Sequence, residues 1–144
     1  MHRLPCQLMR SLTPGEVWEF FDSKPGWAAL SSVGSDGYPH TVAIGYFRLD
    51  EVLYCGCRDN TRKIHNIDSN PRVSLLLENG RANPGVLKGV MFQGDAMVIR
   101  DREGLLAIKS DLARRRGEPP PESVGEGVAY IRLVVARTTS WTNQ

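Results

Sequence analysis

The feature that most limits the fold is the crowding of strand-like runs between Trp27 and Cys57. "WAALSSV" (27–33) and "HTVAIGYFRL" (40–49) are rich in β-branched and aromatic residues, and only "GSDGYP" separates them. "EVLYCGC" (51–57) follows Asp50 directly. Connections this short join antiparallel neighbours, so the three runs predict a meander.

The rest of the chain extends the pattern. "RVSLLL" (72–77), "VLKGVMFQGDAMVI" (86–99) and "VAYIRLVVARTTSW" (128–141) read as further strands, the second of them long and bent or bulged at Gly89 and Gly94. Thr13, Pro14 and Glu16 have the spacing of a capping box, and Val17, Phe20 and Phe21 follow on one face, which predicts a helix over 14–23 ended by Pro25-Gly26. "DREGLLAIKSDLARRR" (101–116) predicts a second helix buried through Leu105, Leu106, Ile108 and Leu112, and the prolines of "GEPPPES" cannot continue it. Six strands in sequence with a few short helices predict a mainly β, six-stranded antiparallel barrel, one domain over residues 1–144.

Composition narrows the function classes. Apolar content of 41% and charged content of 24% exclude a disordered chain. No run approaches the roughly 20 apolar residues of a membrane-spanning helix, and the N-terminus has no apolar secretory core, so no membrane partner and a cytoplasmic location are expected. Cys6, Cys55 and Cys57 suit reduced thiols better than a disulfide framework. A net charge of +2 argues against a broad nucleic-acid surface while leaving room for one local anion site.

"NTRKIHNIDSNPRVSLLLENG" (60–80) is where such a site falls. Asn60 or Thr61 would cap a short helix, Arg62 would grip phosphate oxygens bidentately, and Lys63 would add a point charge beside the helix N-terminus. The spacing alone equally fits Arg62 and Lys63 as solvated residues on the helix's outer face.

"DGYPHTVAIGYF", "VLYCGC" and "TRKIHNIDSNPRVSLLL" together resemble the flavin-binding half of the pyridoxamine 5'-phosphate oxidase-like superfamily, the FMN-binding split barrels. Thr61, Arg62, Lys63, Ile67, Asn70, Pro71, Arg72, Val73, Ser74 and Leu75 match the family's phosphate-gripping segment as they stand. The resemblance implies that the barrel is split and that Thr61, Arg62 and Lys63 hold the cofactor phosphate. It also implies that Thr41, Val42, Ala43 and Ile44 run beneath the isoalloxazine-type ring, with Tyr54, Cys55 and Gly56 closing the phosphate and ribityl side. Lys88 and Gly89 would meet the ring's pyrimidine edge, and Trp141 would reach the site from a partner chain. A homodimer sharing two sites is implied, as is hydride transfer between bound FMN, or alternatively the deazaflavin coenzyme F-420, and a small unsaturated substrate. The same barrel would also serve a non-catalytic flavin or haem carrier, with His40 or His65 the available haem ligands. The uncharged "HTVAIG" and the stop at Gln144, without a C-terminal Arg motif, depart from the oxidases that act on the vitamin itself, while "TTSW" resembles the ending of the family's smaller members.

Other residues have plainer readings. Cys55 and Cys57 would share a face of one strand as small hydrophobes in the barrel wall, and no further Cys/His pair stands near enough in sequence to complete a metal site. Arg114, Arg115 and Arg116 suit a helix C-terminus, or alternatively the anionic tail of coenzyme F-420. Residues 79–85 and 117–127 are the candidate substrate loops.

Overall fold

The computed structural model describes residues 9–80 and 85–144, so Cys6 and part of the 79–85 loop lie outside the described residues. Its elements run α1 (Pro14–Asp22), β1 (Ala28–Val33), β2 (Pro39–Ile44), β3 (Phe47–Leu49), β4 (Val52–Arg58), α2 (Arg62–Ser69), β5 (Arg72–Glu78), β6 (Lys88–Ile99), α3 (Arg102–Arg116) and β7 (Val128–Thr142). The strands form one antiparallel sheet in the order β2-β1-β5-β6-β7-β4-β3. It curls into a split barrel that does not close, leaving β2 and β3 as its two edges.

There are seven strands where the sequence predicts six. Residues 40–49 do not run as one strand, because Gly45 and Tyr46 interrupt it and send the Tyr46 ring into the core, 5.0 Å from Phe21 and edge-on to it. Up to that break β2 keeps the hairpin register with β1, from Ala28 opposite Ile44 to Val33 opposite Pro39.

The helix starts follow the sequence closely. Thr13 accepts from the Glu16 amide while the Glu16 carboxylate accepts from the Thr13 amide, the reciprocal bonds of a capping box. Val17, Phe20 and Phe21 then enter the main core with Leu30, Ile64, Leu75 and Phe92. At α3, Asp101 accepts from the Gly104 amide at 2.8 Å, and Gly117 ends the helix at φ +69°. Of the four residues expected to bury this helix, Leu105 is buried and Ile108 and Leu112 pack beside it, while Leu106 is only half-buried.

Two layers of core result. Inside the barrel, Leu30, Leu53, Leu75, Phe92 and Ile131 close around α1. Outside it, α3 lays Leu105 on Leu49, Tyr54 and Tyr130. The two glycines of β6 act differently from one another. At Gly94 the register shifts, and a Cβ there would stand 2.0 Å from the Val134 carbonyl oxygen, so this glycine permits the bulge. Gly89 makes no bend: its missing side chain leaves room for the Trp141 indole, which a Cβ would meet at 2.2 Å.

Candidate functional site

α2 sits against β1 and β6 and brings in its charges along two directions. Successive helical residues differ by about 100° around the axis, so Arg62 and Lys63 cannot share one aim. Arg62 lies with His65, Asn66 and Ser69 at the spacing of one helix face, and these four, with Ser35 of the β1–β2 turn, line a depression of about 430 Å³. Lys63 lies within electrostatic reach of the thiols of Cys55 and Cys57 on β4.

Thr61 occupies the N-cap position but does not cap. Its hydroxyl donates instead to the Arg58 carbonyl at 3.2 Å, which corrects the expectation of a side-chain cap from this residue. The first-turn amides of α2 are therefore left without a side-chain acceptor from their own cap. Thr61 and Lys63 both act on the Cys57 thiol, so hydroxyl, thiol and ammonium stand near one another at this end of the barrel.

Cys55 and Cys57 share one strand face, as the sequence predicts, with Cys55 in the main core and Cys57 packed against it. Burial pushes the Cys55 thiol up to about 12 and raises Cys57 as well, so both are held protonated at neutral pH. Tyr54 and Gly56 face the opposite way. The Tyr54 ring stacks on Phe47 at 5.2 Å beneath α3, and Gly56 lies under the Tyr130 ring. Of this trio, then, only the Cys55 side chain points to the Lys63 side.

β2 is an edge strand. Thr41 and Ala43 are exposed on the outer face, while Ile44 is buried and Val42 packs against the core. His40 turns inward with Val42 and Ile44, and its Nδ1 is buried without a hydrogen-bond partner. Its neighbour across the ladder, Ser32, is 1% exposed and accepts from the buried Asn66 amide at 3.1 Å. Strand alternation in "WAALSSV" already places Ser32 inward with Ala28 and Leu30, but nothing in the sequence signals its bond to Asn66.

Lys88, Gly89 and Trp141 are brought together, with Gly89 directly opposite Trp141 and Lys88 opposite Thr142. They stand at the start of β6, whereas Arg100, just past its end, pairs with Asp68 of α2. One chain thus carries Thr61–Lys63 and the Lys88–Trp141 group towards opposite ends of β6.

The outer face between these ends carries a row that sequence reading did not single out. Thr41, Ser31, Ser74, Gln93 and Arg137 are successive ladder partners across β2, β1, β5, β6 and β7. Ser31 and Thr41 share a hydroxyl bond at 2.8 Å, and Arg137 donates to the Gln93 side-chain oxygen at 2.7 Å. A groove of about 620 Å³ runs beside this row, past Arg72 and Asp95.

The arginine triplet is tied down in part. Arg115 forks onto Asp50 at 2.8 and 3.0 Å and also reaches Asp111, which Arg114 joins as well. These bonds fasten the end of α3 to the β3–β4 turn, although all three arginines stay exposed. The described residues contain no cluster of three His, Cys, Asp or Glu able to hold a metal ion, and no helix among them is long and apolar enough to cross a membrane.

With this geometry in hand, the comparison with known proteins is decisive for lineage. The family model described as pyridoxamine 5'-phosphate oxidase matches residues 14–142, from the first residue of α1 to the last of β7. The chain belongs to the pyridoxamine 5'-phosphate oxidase family. Solved structures share its course. A conserved hypothetical protein of Mycobacterium tuberculosis is 25% identical with a TM-score of 0.76, covering 99% of this chain and 91% of its own. A FAD-binding protein of Mesorhizobium loti is 20% identical at TM-score 0.71, covering 94% and 98%. HutZ, the haem storage protein of Vibrio cholerae, is 20% identical at TM-score 0.68, covering 86% and 90%. No curated protein matches the sequence. The family fold therefore occurs in flavin-binding and haem-storing proteins alike.

Proposed function

We propose that this member of the pyridoxamine 5'-phosphate oxidase family is a flavin- or deazaflavin-dependent oxidoreductase, working on a small unsaturated substrate as a homodimer. The observation that carries the reading is the convergence of Lys63, the Thr61 hydroxyl and an uncapped helix N-terminus at one end of the barrel. An anion held there meets fixed charge, a hydroxyl and free backbone donors together. The unpartnered Nδ1 of His40, on the edge strand β2, adds a buried polar atom that a ligand with hydrogen-bonding edges would satisfy. The bound ring supplies the hydride chemistry. The protein's own work is to fix the phosphate through Lys63 and Thr61, to offer the free edge of β2 to the ring's polar rim, and to exclude water.

The dimer follows from the same reading. Thr41 and Ala43 at one margin of the bare outer face, and Gly89 and Trp141 at the other, become a single site when two such faces meet. Titration of the cofactor-stripped protein with FMN and with coenzyme F-420 tests this. Lys63→Ala is expected to weaken binding by about 1–3 kcal/mol, the loss of a charged hydrogen-bond partner. An unchanged dissociation constant would remove the phosphate grip. Cofactor binding without turnover of any reducible substrate would instead place the protein with the carriers.

A further inference from the structure

β7 is paired along its whole length on one side only. Its ladder with β4 ends at Val52 opposite Val134, while its ladder with β6 runs on to Lys88 opposite Thr142. Arg10 closes the far end, its N–H and C=O exchanging bonds with those of Thr142, both at 2.9 Å. The ladder begun there stops after this one bridge, because the chain turns away to cap α1 at Thr13. The Leu12 amide goes to the Ser140 hydroxyl at 2.8 Å instead of to backbone. Strand alternation decides where the polar groups in between aim. Asn143 donates to Leu87 on the β6 side and Thr142 faces Arg10, so Ser140 and Thr138 turn their backbone N–H and C=O away from β6. Their edge has no ladder partner among the described residues.

That edge borders a cavity of about 380 Å³ whose opposite wall is apolar, made by Leu12, Val17, Trp18 and Phe92. The wall is fixed. Trp18 stacks on Phe92 with ring centroids 5.7 Å apart, and the Arg48 guanidinium, forked onto Asp22 at 2.8 and 2.7 Å, lies 4.6 Å from the Trp18 ring. Trp141, beside Ser140 in sequence, turns to the other face of the strand, against Gly89. We propose that this cavity is a further binding site, for a small planar molecule that carries an N–H beside a C=O, as a lactam does. Such an edge exchanges two bonds with Thr138 as Arg10 does with Thr142, while the ring displaces water from the apolar wall. A purely apolar guest would strip water from the Thr138 backbone and return nothing, and an ion would find no charged side chain of the described residues lining the cavity. The volume has room for a two-ring compound. The site stands independently of the flavin reading.

The test is an NMR titration of the isotope-labelled full-length chain with carbostyril, a two-ring lactam, and in parallel with N-methylcarbostyril, which keeps the rings and the carbonyl and loses the donor. Carbostyril is expected to shift the Thr138 and Ser140 amide signals saturably, and the N-methyl compound to bind about fivefold or more weakly, the scale of one hydrogen bond. Thr138→Pro deletes the N–H at an edge position where proline breaks no ladder bond, and is expected to weaken carbostyril by about the same factor. Thr138→Val keeps the backbone and is expected to leave the affinity within about twofold. Absence of a saturable shift at the two amides overturns the inference. Equal affinity of the two compounds also overturns it, since the edge would then take no part, as does a Thr138→Val loss as large as that of Thr138→Pro. Should Thr138→Pro not fold, the comparison of the two compounds on the parent decides alone.

Discussion

Over β3, β4 and the first half of β7, the outer face of the sheet is sealed by α3, whereas over β2, β1, β5 and β6 the corresponding face carries no helix among the described residues. The sealed half is a second core in its own right, with Leu49, Tyr54, Leu105 and Tyr130 buried and rings stacked in series. The bare half alternates differently. One row of ladder partners is Ala43, Ala29, Leu76, Met91 and Thr139, and the next is Thr41, Ser31, Ser74, Gln93 and Arg137. Leu76 and Met91 are only half-buried there. A face left to water would carry charge along both rows, and a face finished by its own chain would bury the apolar one. The bare half does neither, which suits a surface completed by a second copy and a ligand.

The comparison is broken most severely at the bulge that lets β6 and β7 serve both halves. Gly94→Val puts side-chain carbon where the Val134 carbonyl stands, and the obstacle is backbone that cannot turn aside. The expected loss is roughly 3–5 kcal/mol, or no folded protein at all, read by urea unfolding. Stability within about 0.5 kcal/mol of the parent would mean that the strands re-register without the bulge.

A paired truncation sharpens the contrast between the halves. Leu105→Ala empties the core beneath α3 and is expected to cost about 2–4 kcal/mol at any protein concentration. Leu76→Ala removes a half-exposed side chain and is expected to cost below about 1 kcal/mol in dilute protein, while weakening self-association seen by sedimentation. Equal costs at all dilutions would show that the bare half is already closed within one chain.

How much of this was legible in the sequence depends on the distance over which each signal acts. The capping box at Thr13 and Glu16 and the shared face of Cys55 and Cys57 are local patterns, and both appear as the spacing requires. The break after Ile44 was not legible, because it depends on Tyr46 finding Phe21 in the folded core. Gly89 read as a bend because a glycine in a strand has two uses, and only the strand facing it, with Trp141, decides between them. Arg115 read as a solvated helix end because its partner Asp50 is 65 residues away. The residues of the proposed grip were visible as types. Their division between two directions follows from helix geometry, but the depression beside Arg62 needed the β1–β2 turn to supply Ser35. The orphaned nitrogen of His40 needed burial to become notable.

The smallest expected effect tests whether α1 is held at its entrance by charge as well as by packing. Glu16 forks onto Arg10 and accepts from Thr13, and the Arg10 bond foremost lowers its carboxyl to about 2. Asp22, at the other end of the helix, is lowered by its bond to Arg48. A carboxylate depressed in the folded state contributes its stability fully above the ordinary carboxylate range and loses it as pH falls through the folded value. Unfolding free energy is therefore expected to decline from about pH 5 downward to about 2. Glu16→Gln keeps an oxygen for the Thr13 amide and gives up only the charge, so it should lower stability slightly near pH 5 and converge on the parent towards pH 2, which flattens that part of the decline. Because Glu16 and Arg10 are surface groups, added salt should mimic part of the substitution. An acid profile identical in the variant and the parent would assign the entrance of α1 to Val17, Phe20 and Phe21 alone, and would leave the acid sensitivity to Asp22 with Arg48 and to Asp50 and Asp111 with Arg115.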